Sequence, residues 1–277
     1  MHNRNPNPFY ISRTGILPYH SEDTGFSKEE SVYVKADASG NVKKTTVSEW
    51  LKNPEKGTIS DTSELKDIKN VIFDLGGVLV DLDIERCTAA FRELGMNRVA
   101  GLITPCYPAE MIGRLEHGVI SFHEACDEMR RLSGTPEVTD AQIAWAYGQF
   151  LVRIPVAKLR QIDALRERGI RTCVLSNNNP ASMKYIRRMF TADGKTMDDY
   201  FDAVFLSYEL HELKPSEAIF RKMIAAGGMR PEETLFIDDG QKNVDAAQRL
   251  GFAVYMPGPG EDFGHILENL NRYEESL

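Results

Sequence analysis

Cysteine is scarce in this chain: four in 277 residues, at 87, 106, 126 and 173. No two stand at the short spacing of a zinc site or a redox motif. A disulfide scaffold is therefore excluded as the basis of the fold, and reduced, packed thiols are expected. Long apolar runs are also missing. The longest, Val71–Val80 and Ile170–Leu175, fall far short of the roughly 20 residues that span a bilayer. The first nine residues are polar and rich in Asn and Pro, unlike a secretory leader, so a cytoplasmic protein with no membrane partner is expected. Positive charge is in deficit, with 33 Lys and Arg against 41 Asp and Glu and a formal net charge of −8. An acidic chain has no general electrostatic footprint for nucleic acid or anionic lipid. What remains is ordinary globular material, 42% apolar and 27% charged, long enough for one large domain or two small ones. Monomer and homodimer both remain open.

No internal repeat or long low-complexity tract interrupts the chain, but its composition shifts near residue 70. Residues 1–69 are rich in Asn, Ser, Thr, Lys and Asp and poor in large aliphatics. Within them, Ser31–Ala36 alternates polar and apolar residues, a turn signal covers 37–41, and Val42–Trp50 follows. The pattern predicts a small hairpin and then a short helix, in an extension that is only partly ordered. From residue 70 onward, strand and helix patterns alternate. Strands are expected at Asn70–Asp74, Ile170–Leu175, Ala203–Leu206, Thr234–Ile237 and Phe252–Met256. Helices are expected at Pro155–Arg168, Pro180–Phe190, Pro215–Ala226 and Gln241–Leu250, several ending at glycine. This rhythm implies an α/β fold with a Rossmann-like parallel sheet covered by helices on both faces. Helical patterns at Ile84–Leu94, Pro108–Leu115, Ser121–Leu132 and Thr139–Phe150 fall between the first two strands. The expected division is thus an N-terminal extension at 1–69, a core formed by 70–83 and 151–277, and an inserted α-helical cap at 84–150.

In an open parallel sheet, ligands bind outside the carboxyl ends of the strands. Those ends are polar here: Asp74 after the first strand, Ser176 after the second, Ser207 after the third, and Asp238 with Asp239 after the fourth. Lys214 lies shortly beyond the third. Three carboxylates brought together repel and need a cation, and hard oxygen ligands suit Mg²⁺. A metal there would draw in a phosphate and screen it from an attacking carboxylate. Ser176 and the amides after it are placed to hold phosphate oxygens, and Lys214 adds a point charge. Each residue also has a plain structural reading. Asp74 suits a loop, the run from Asn177 to Pro180 suits a helix cap, and Lys214 suits a solvated surface.

The four segments Phe73–Asp81 (FDLGGVLVD), Val174–Asn177 (VLSN), Leu213–Pro215 (LKP) and Phe236–Gly240 (FIDDG), taken in that order, resemble the motifs of the haloacid dehalogenase (HAD) superfamily. The resemblance runs over about residues 69–256. It is closest to the bacterial sugar-phosphate phosphatase branch whose first motif reads Asp-Leu-Gly, typified by the α-glucose-1-phosphate phosphatase. It implies a Mg²⁺-dependent phosphatase acting on a small phosphorylated metabolite. By that resemblance Asp74 is the nucleophile that forms an aspartyl-phosphate, and it is also a metal ligand. The carbonyl of Gly76, Asp238 and Asp239 complete the metal set. Ser176 and Asn177 hold the phosphate, and Lys214 steadies both nucleophile and phosphate.

One position departs from the superfamily pattern. Two residues after the nucleophile, most of its phosphatases carry an Asp that protonates the leaving oxygen; here the residue is Gly76. General acid help is worth about 10²–10⁴-fold, so three readings stand at this level. The substrate has a weakly basic leaving oxygen, such as an anomeric one. Another acid, Asp81 or Asp83, takes the role. Or the protein is slow. Two other functions stay in view: a metal-independent 2-haloacid dehalogenase, which needs no leaving-group proton but has no use for the Asp238–Asp239 pair, and a catalytically weak binding protein that uses residues 1–69. In the helical stretch, Arg114, Glu116 and His117 mark a junction near the site, and no substrate contact is assigned to them. Asn243 is expected to support the metal ligands from behind.

Overall fold

The computed structural model describes residues 67–103, 110–258 and 260–270, together with the backbone of two earlier strands, β1 (Val32–Ala36) and β2 (Val42–Thr46). These two pair antiparallel, Val32 opposite Thr46 and Ala36 opposite Val42, as the alternation at 31–36 anticipates. The short helix expected next lies outside the described residues, as does Cys106.

The chain then runs β3 (Asn70–Phe73), β4 (Asp81–Leu82), α1 (Ile84–Glu93), α2 (Asn97–Leu102), α3 (Glu110–Glu116), α4 (Phe122–Ser133), α5 (Asp140–Gly148) and β5 (Leu151–Arg153). It continues through α6 (Val156–Glu167), β6 (Arg171–Ser176), α7 (Pro180–Arg187), α8 (Met197–Tyr200), β7 (Ala203–Leu206), α9 (Ser207–Leu210) and α10 (Glu217–Gly227). The last elements are β8 (Thr234–Ile237), α11 (Gln241–Arg249), β9 (Ala253–Tyr255) and α12 (Gly264–Glu268).

Five parallel strands form the main sheet in the order β7-β6-β3-β8-β9. Its strands are buried on both faces, so they read as apolar runs rather than as alternation. Side chains still divide by parity. Val71, Phe73, Val174, Leu235 and Ile237 pack on one face against α6, α7 and α12. Ile72, Cys173, Leu175 and Phe236 pack on the other against α10 and α11. The strand order reverses direction at β3, so the crevice between β3 and β8 is the topological switch point where such sheets bind ligands.

Helices α1–α5 leave and rejoin the core through β4 and β5, which pair antiparallel with Asp81 opposite Arg153 and Leu82 opposite Leu151. This two-stranded connection was not anticipated, because two- and three-residue strands are too short to show periodicity. The helical insert has an apolar interior of its own, built around Phe91, Met96, Leu115, Cys126, Met129 and Ile143. Local chemistry sets its helix starts: Ser121 with Glu124 and Thr139 with Gln142 form reciprocal capping boxes. The expected helix at Pro108–Leu115 is described from Glu110, and α2, α8, α9 and α12 are further short helices without a sequence signal of their own. Cys87, Cys126 and Cys173 are free and buried. Burial pushes the first two thiols up to about 12 and the third to about 11, as expected of packing groups.

Candidate active site

Register builds the site. Phe73 pairs with Ile237 across β3 and β8, so Asp74 and Asp238, the next residue on each strand, leave the sheet side by side. Backbone bonds hold them there: the Asp74 amide donates to the Ile237 carbonyl at 2.9 Å and the Asp238 amide to that of Tyr255 at 3.2 Å. Asp74, Asp238 and Asp239 each offer a carboxylate oxygen within 4.8 Å of the other two, the one such group among the described residues. Asp238 and Asp239 are buried, and Asp74 is nearly so.

Lys214 enters from the loop after α9. Its side chain is only 1% exposed, and its Nζ stands 3.0 Å from Asp74 Oδ1 and 2.5 Å from Asp238 Oδ2. It also donates to the Leu175 carbonyl at 3.0 Å. Burial alone would lower this ammonium; the carboxylates of Asp238 and Asp74 outweigh it and hold the group above its ordinary value. Burial pushes the Asp238 carboxyl up, and the charge of Asp74 adds to this, against the pull of Lys214 and Asn243. The solvated surface reading of Lys214 therefore fails. Asn177 fixes the same loop: its Oδ1 accepts from the Lys214 amide at 2.8 Å, and its Nδ2 donates to the Lys214 carbonyl at 3.0 Å.

The supporting bonds are specific. Asp74 Oδ1 accepts from the Leu75 amide at 2.8 Å, which with Lys214 fixes the carboxylate's rotation. Asp238 Oδ1 accepts from the Gly240 amide and from Asn243 Nδ2, both at 2.8 Å, the support expected of Asn243. Gly76 sits in the turn after Asp74, bridged to Val80. That turn is tied down by Lys158 of α6, whose buried ammonium donates to the Val78 carbonyl and lies 5.3 Å from the centre of the Phe263 ring. Burial lowers this lysine, against the charges of Asp81, Asp262 and Asp239. No motif flagged Lys158, because a lysine on an amphipathic helix gives no sequence sign of turning inward.

Some expectations change. Among the amides after Ser176, that of Asn178 is committed to Ser207 Oγ at 3.0 Å and that of Asn179 to Asn178 Oδ1 at 2.9 Å, so the corner offers fewer amides to an anion than the sequence suggested. Asn179 also caps α7 by accepting from the Ser182 amide, so the cap reading of this run holds as well. Asp81 pairs with Arg153 at 3.0 Å and Asp83 caps α1 through the Arg86 amide at 3.0 Å. Both acids are thus engaged in the connection to the insert. Arg114 pairs with Glu128 at 3.2 Å, while Glu116 is buried and His117 half-buried.

The donor set fits a divalent cation. Three carboxylates face one ammonium, an excess of negative charge that a buried site holds only with a further cation, and all the ligand atoms are hard oxygens. A family model described as haloacid dehalogenase-like hydrolase matches residues 68–251. The chain belongs to the haloacid dehalogenase-like hydrolase family. Among the relatives of this hydrolase, a D-ribitol-5-phosphate phosphatase of Bacteroides thetaiotaomicron is 34% identical over 197 residues, covering 71% of this chain and 95% of its own. A crystal structure of a HAD family enzyme from the same organism, in complex with magnesium and inorganic phosphate, superposes with a TM-score of 0.67 at 37% identity, covering 72% of this chain and 98% of that one. A protein of Porphyromonas gingivalis described as a predicted HAD-like family hydrolase gives a TM-score of 0.68 at 39% identity, covering 75% and 100%.

Proposed function

We propose that this hydrolase is a Mg²⁺-dependent phosphatase that removes phosphate from a small sugar or polyol phosphate by way of an aspartyl-phosphate on Asp74. The observation that carries the proposal is the meeting of Asp74, Asp238 and Asp239 within 4.8 Å at the switch point, with Lys214 salt-bridged to two of them. The phosphatase name of the Bacteroides relative and the magnesium and phosphate in the related crystal structure support the same reading.

Asp74, Asp238, Asp239 and the Gly76 carbonyl are the groups that would hold Mg²⁺. When bound, the ion neutralises charge on the phosphoryl group and helps to orient it. The chain's own residues do the rest. The Leu75 amide and the Lys214 ammonium hold the Asp74 carboxylate in one orientation. A carboxylate oxygen of Asp74 attacks phosphorus as the bond to the leaving oxygen breaks, and water then cleaves the acyl phosphate to release inorganic phosphate. Ser176 would meet the phosphoryl oxygens; Asn177, placed beside it, holds the Lys214 backbone through both ends of its amide, and the Lys214 ammonium, bonded to Asp74, Asp238 and the Leu175 carbonyl, adds positive charge next to them. The leaving oxygen needs a proton, and Gly76 supplies none; Asp81 and Asp83 are spent elsewhere. A leaving oxygen of low basicity, such as an anomeric one, departs without that proton, whereas the ordinary alcohol of a polyol phosphate would take it from water.

A 2-haloacid dehalogenase would use Asp74 on carbon but has no need of Asp238 and Asp239 as a pair. Among the described residues no helix is long and apolar enough to cross a membrane, and we place the protein in the cytoplasm as a monomer or homodimer. The test is a hydrolysis screen of sugar 1-phosphates, terminal sugar and polyol phosphates and nucleotides, with and without Mg²⁺. Turnover that requires Mg²⁺ is expected. Halide release indifferent to a chelator, with no phosphate release, would overturn the proposal.

A further inference from the structure

Ser207, the first residue of α9, carries a fully buried side chain that meets two separate parts of the molecule. Its hydroxyl donates to the Glu116 carbonyl at the end of α3, 2.6 Å away, and accepts from the Asn178 amide at 3.0 Å. Glu116 belongs to the helical insert. Asn178 directly follows Ser176 and Asn177 at the end of β6. One hydroxyl therefore joins the insert to the corner assigned to phosphate.

The hydroxyl has a single proton and a second acceptor in reach, the Asn178 carbonyl at 3.3 Å. If the Glu116 carbonyl withdraws, the proton can turn to Asn178, so release of the insert does not strand a buried donor. The insert is seated on the same short helix by Gly118. This residue has φ +72, and a Cβ there would stand 2.4 Å from the Tyr208 carbonyl oxygen and 2.8 Å from His211 Nδ1. Glycine is what lets the two backbones approach so closely.

We propose that Ser207 is a positioning residue: seating of the 116–118 junction on α9 sets the geometry of the Ser176–Asn178 corner through its hydroxyl. The proposal rests on the phosphatase reading only in taking that corner as the phosphate site. With the insert seated, the Ser207 proton points to Glu116 and its lone pair holds the Asn178 amide. With it unseated, the hydroxyl turns to the Asn178 carbonyl and the corner loosens.

The experiment compares the full-length protein with Gly118→Ala, Ser207→Ala and the double variant, each checked for a folded melting transition. Hydrogen exchange is followed by mass spectrometry, and inorganic phosphate is titrated as an inhibitor of p-nitrophenyl phosphate hydrolysis with Mg²⁺. Gly118→Ala is expected to speed exchange at 176–180 as well as at 116–120, and to raise the phosphate inhibition constant by about 2-fold to 30-fold, the usual range for coupling through packed groups. The double variant is expected to be no worse than Ser207→Ala alone, because both act through one contact. Faster exchange at 116–120 alone, or additive effects in the double variant, would overturn the proposal. Coupled exchange in a wild-type protein that neither hydrolyses the ester nor binds phosphate would sustain the coupling and overturn the phosphatase reading.

Discussion

At the sheet rim, the Lys214 ammonium stands 3.0 Å from Asp74 and 2.5 Å from Asp238, its side chain 1% exposed, and the groups come from three distant stretches of chain. In the helical insert the acids of the charged pairs reach solvent: Arg114 pairs with Glu128 at the surface, and Arg130, largely buried, with the more exposed Asp127 and Asp140. Its interior is apolar. The two regions use charge for different ends. At the rim, charges are held out of water by backbone register and by one another, which is costly for stability and useful for chemistry. In the insert, apart from the buried Glu116 and the largely buried Arg130, the paired charges stay solvated and contribute little, while burial of side chains such as Phe91 holds the helices together.

Substitutions should therefore separate chemistry from stability by region. The largest effect is expected at the rim. Asp74→Asn should lower kcat by about 10⁴-fold or more, as loss of a covalent nucleophile does, with the melting temperature preserved; p-nitrophenyl phosphate turnover and a thermal melt measure both. The reverse pattern is expected in the insert. Phe91, fully buried, should cost about 3–5 kcal/mol of stability as Phe91→Ala, read by chemical denaturation, while Mg²⁺ affinity below the transition stays at the wild-type value. A large fall in Mg²⁺ affinity would show that the two regions do not divide in this way.

The smallest effect is expected at the insert's surface. His123 Nδ1 lies 2.6 Å from Asp140 Oδ2. The hydrogen bond to Asp140, with the charges of Asp140 and Asp127, holds this imidazole above its ordinary value, against Arg130. A raised value means that the stabilisation is fully present below the unfolded-state pKa and disappears as pH rises through the folded one. The melting difference between wild type and His123→Gln should be largest near about pH 6, below the ordinary imidazole value, and shrink as pH rises through the raised folded one. Because the pair is exposed, the difference should shrink in high salt.

Legibility in the sequence followed the same division. Strand-end residues such as Asp74 and Asp238 are readable because a parallel sheet brings strand termini to one rim whatever the intervening chain does. Lys214 is readable through its motif, although its burial is not. The β4–β5 connection was invisible because two or three residues carry no period. Ser207 was visible as a polar strand end but carried no assignable role, since its partners, Glu116 and Asn178, are set by tertiary packing. The fate of Asp81 and Asp83 was hidden for the same reason: a sequence shows acids near the nucleophile, but not that Arg153 and the Arg86 amide engage them.

Three carboxylates gathered at the rim are expected to share one divalent cation. Calorimetric titration of Mg²⁺ into the wild type and into Asp239→Asn, paired with p-nitrophenyl phosphate hydrolysis before and after EDTA, tests it most directly. One Mg²⁺ per chain, at least tenfold weaker binding in the variant, and activity lost to EDTA and restored by Mg²⁺ are the expected results. Equal affinity in Asp239→Asn, or hydrolysis that survives the chelator, would contradict the claim.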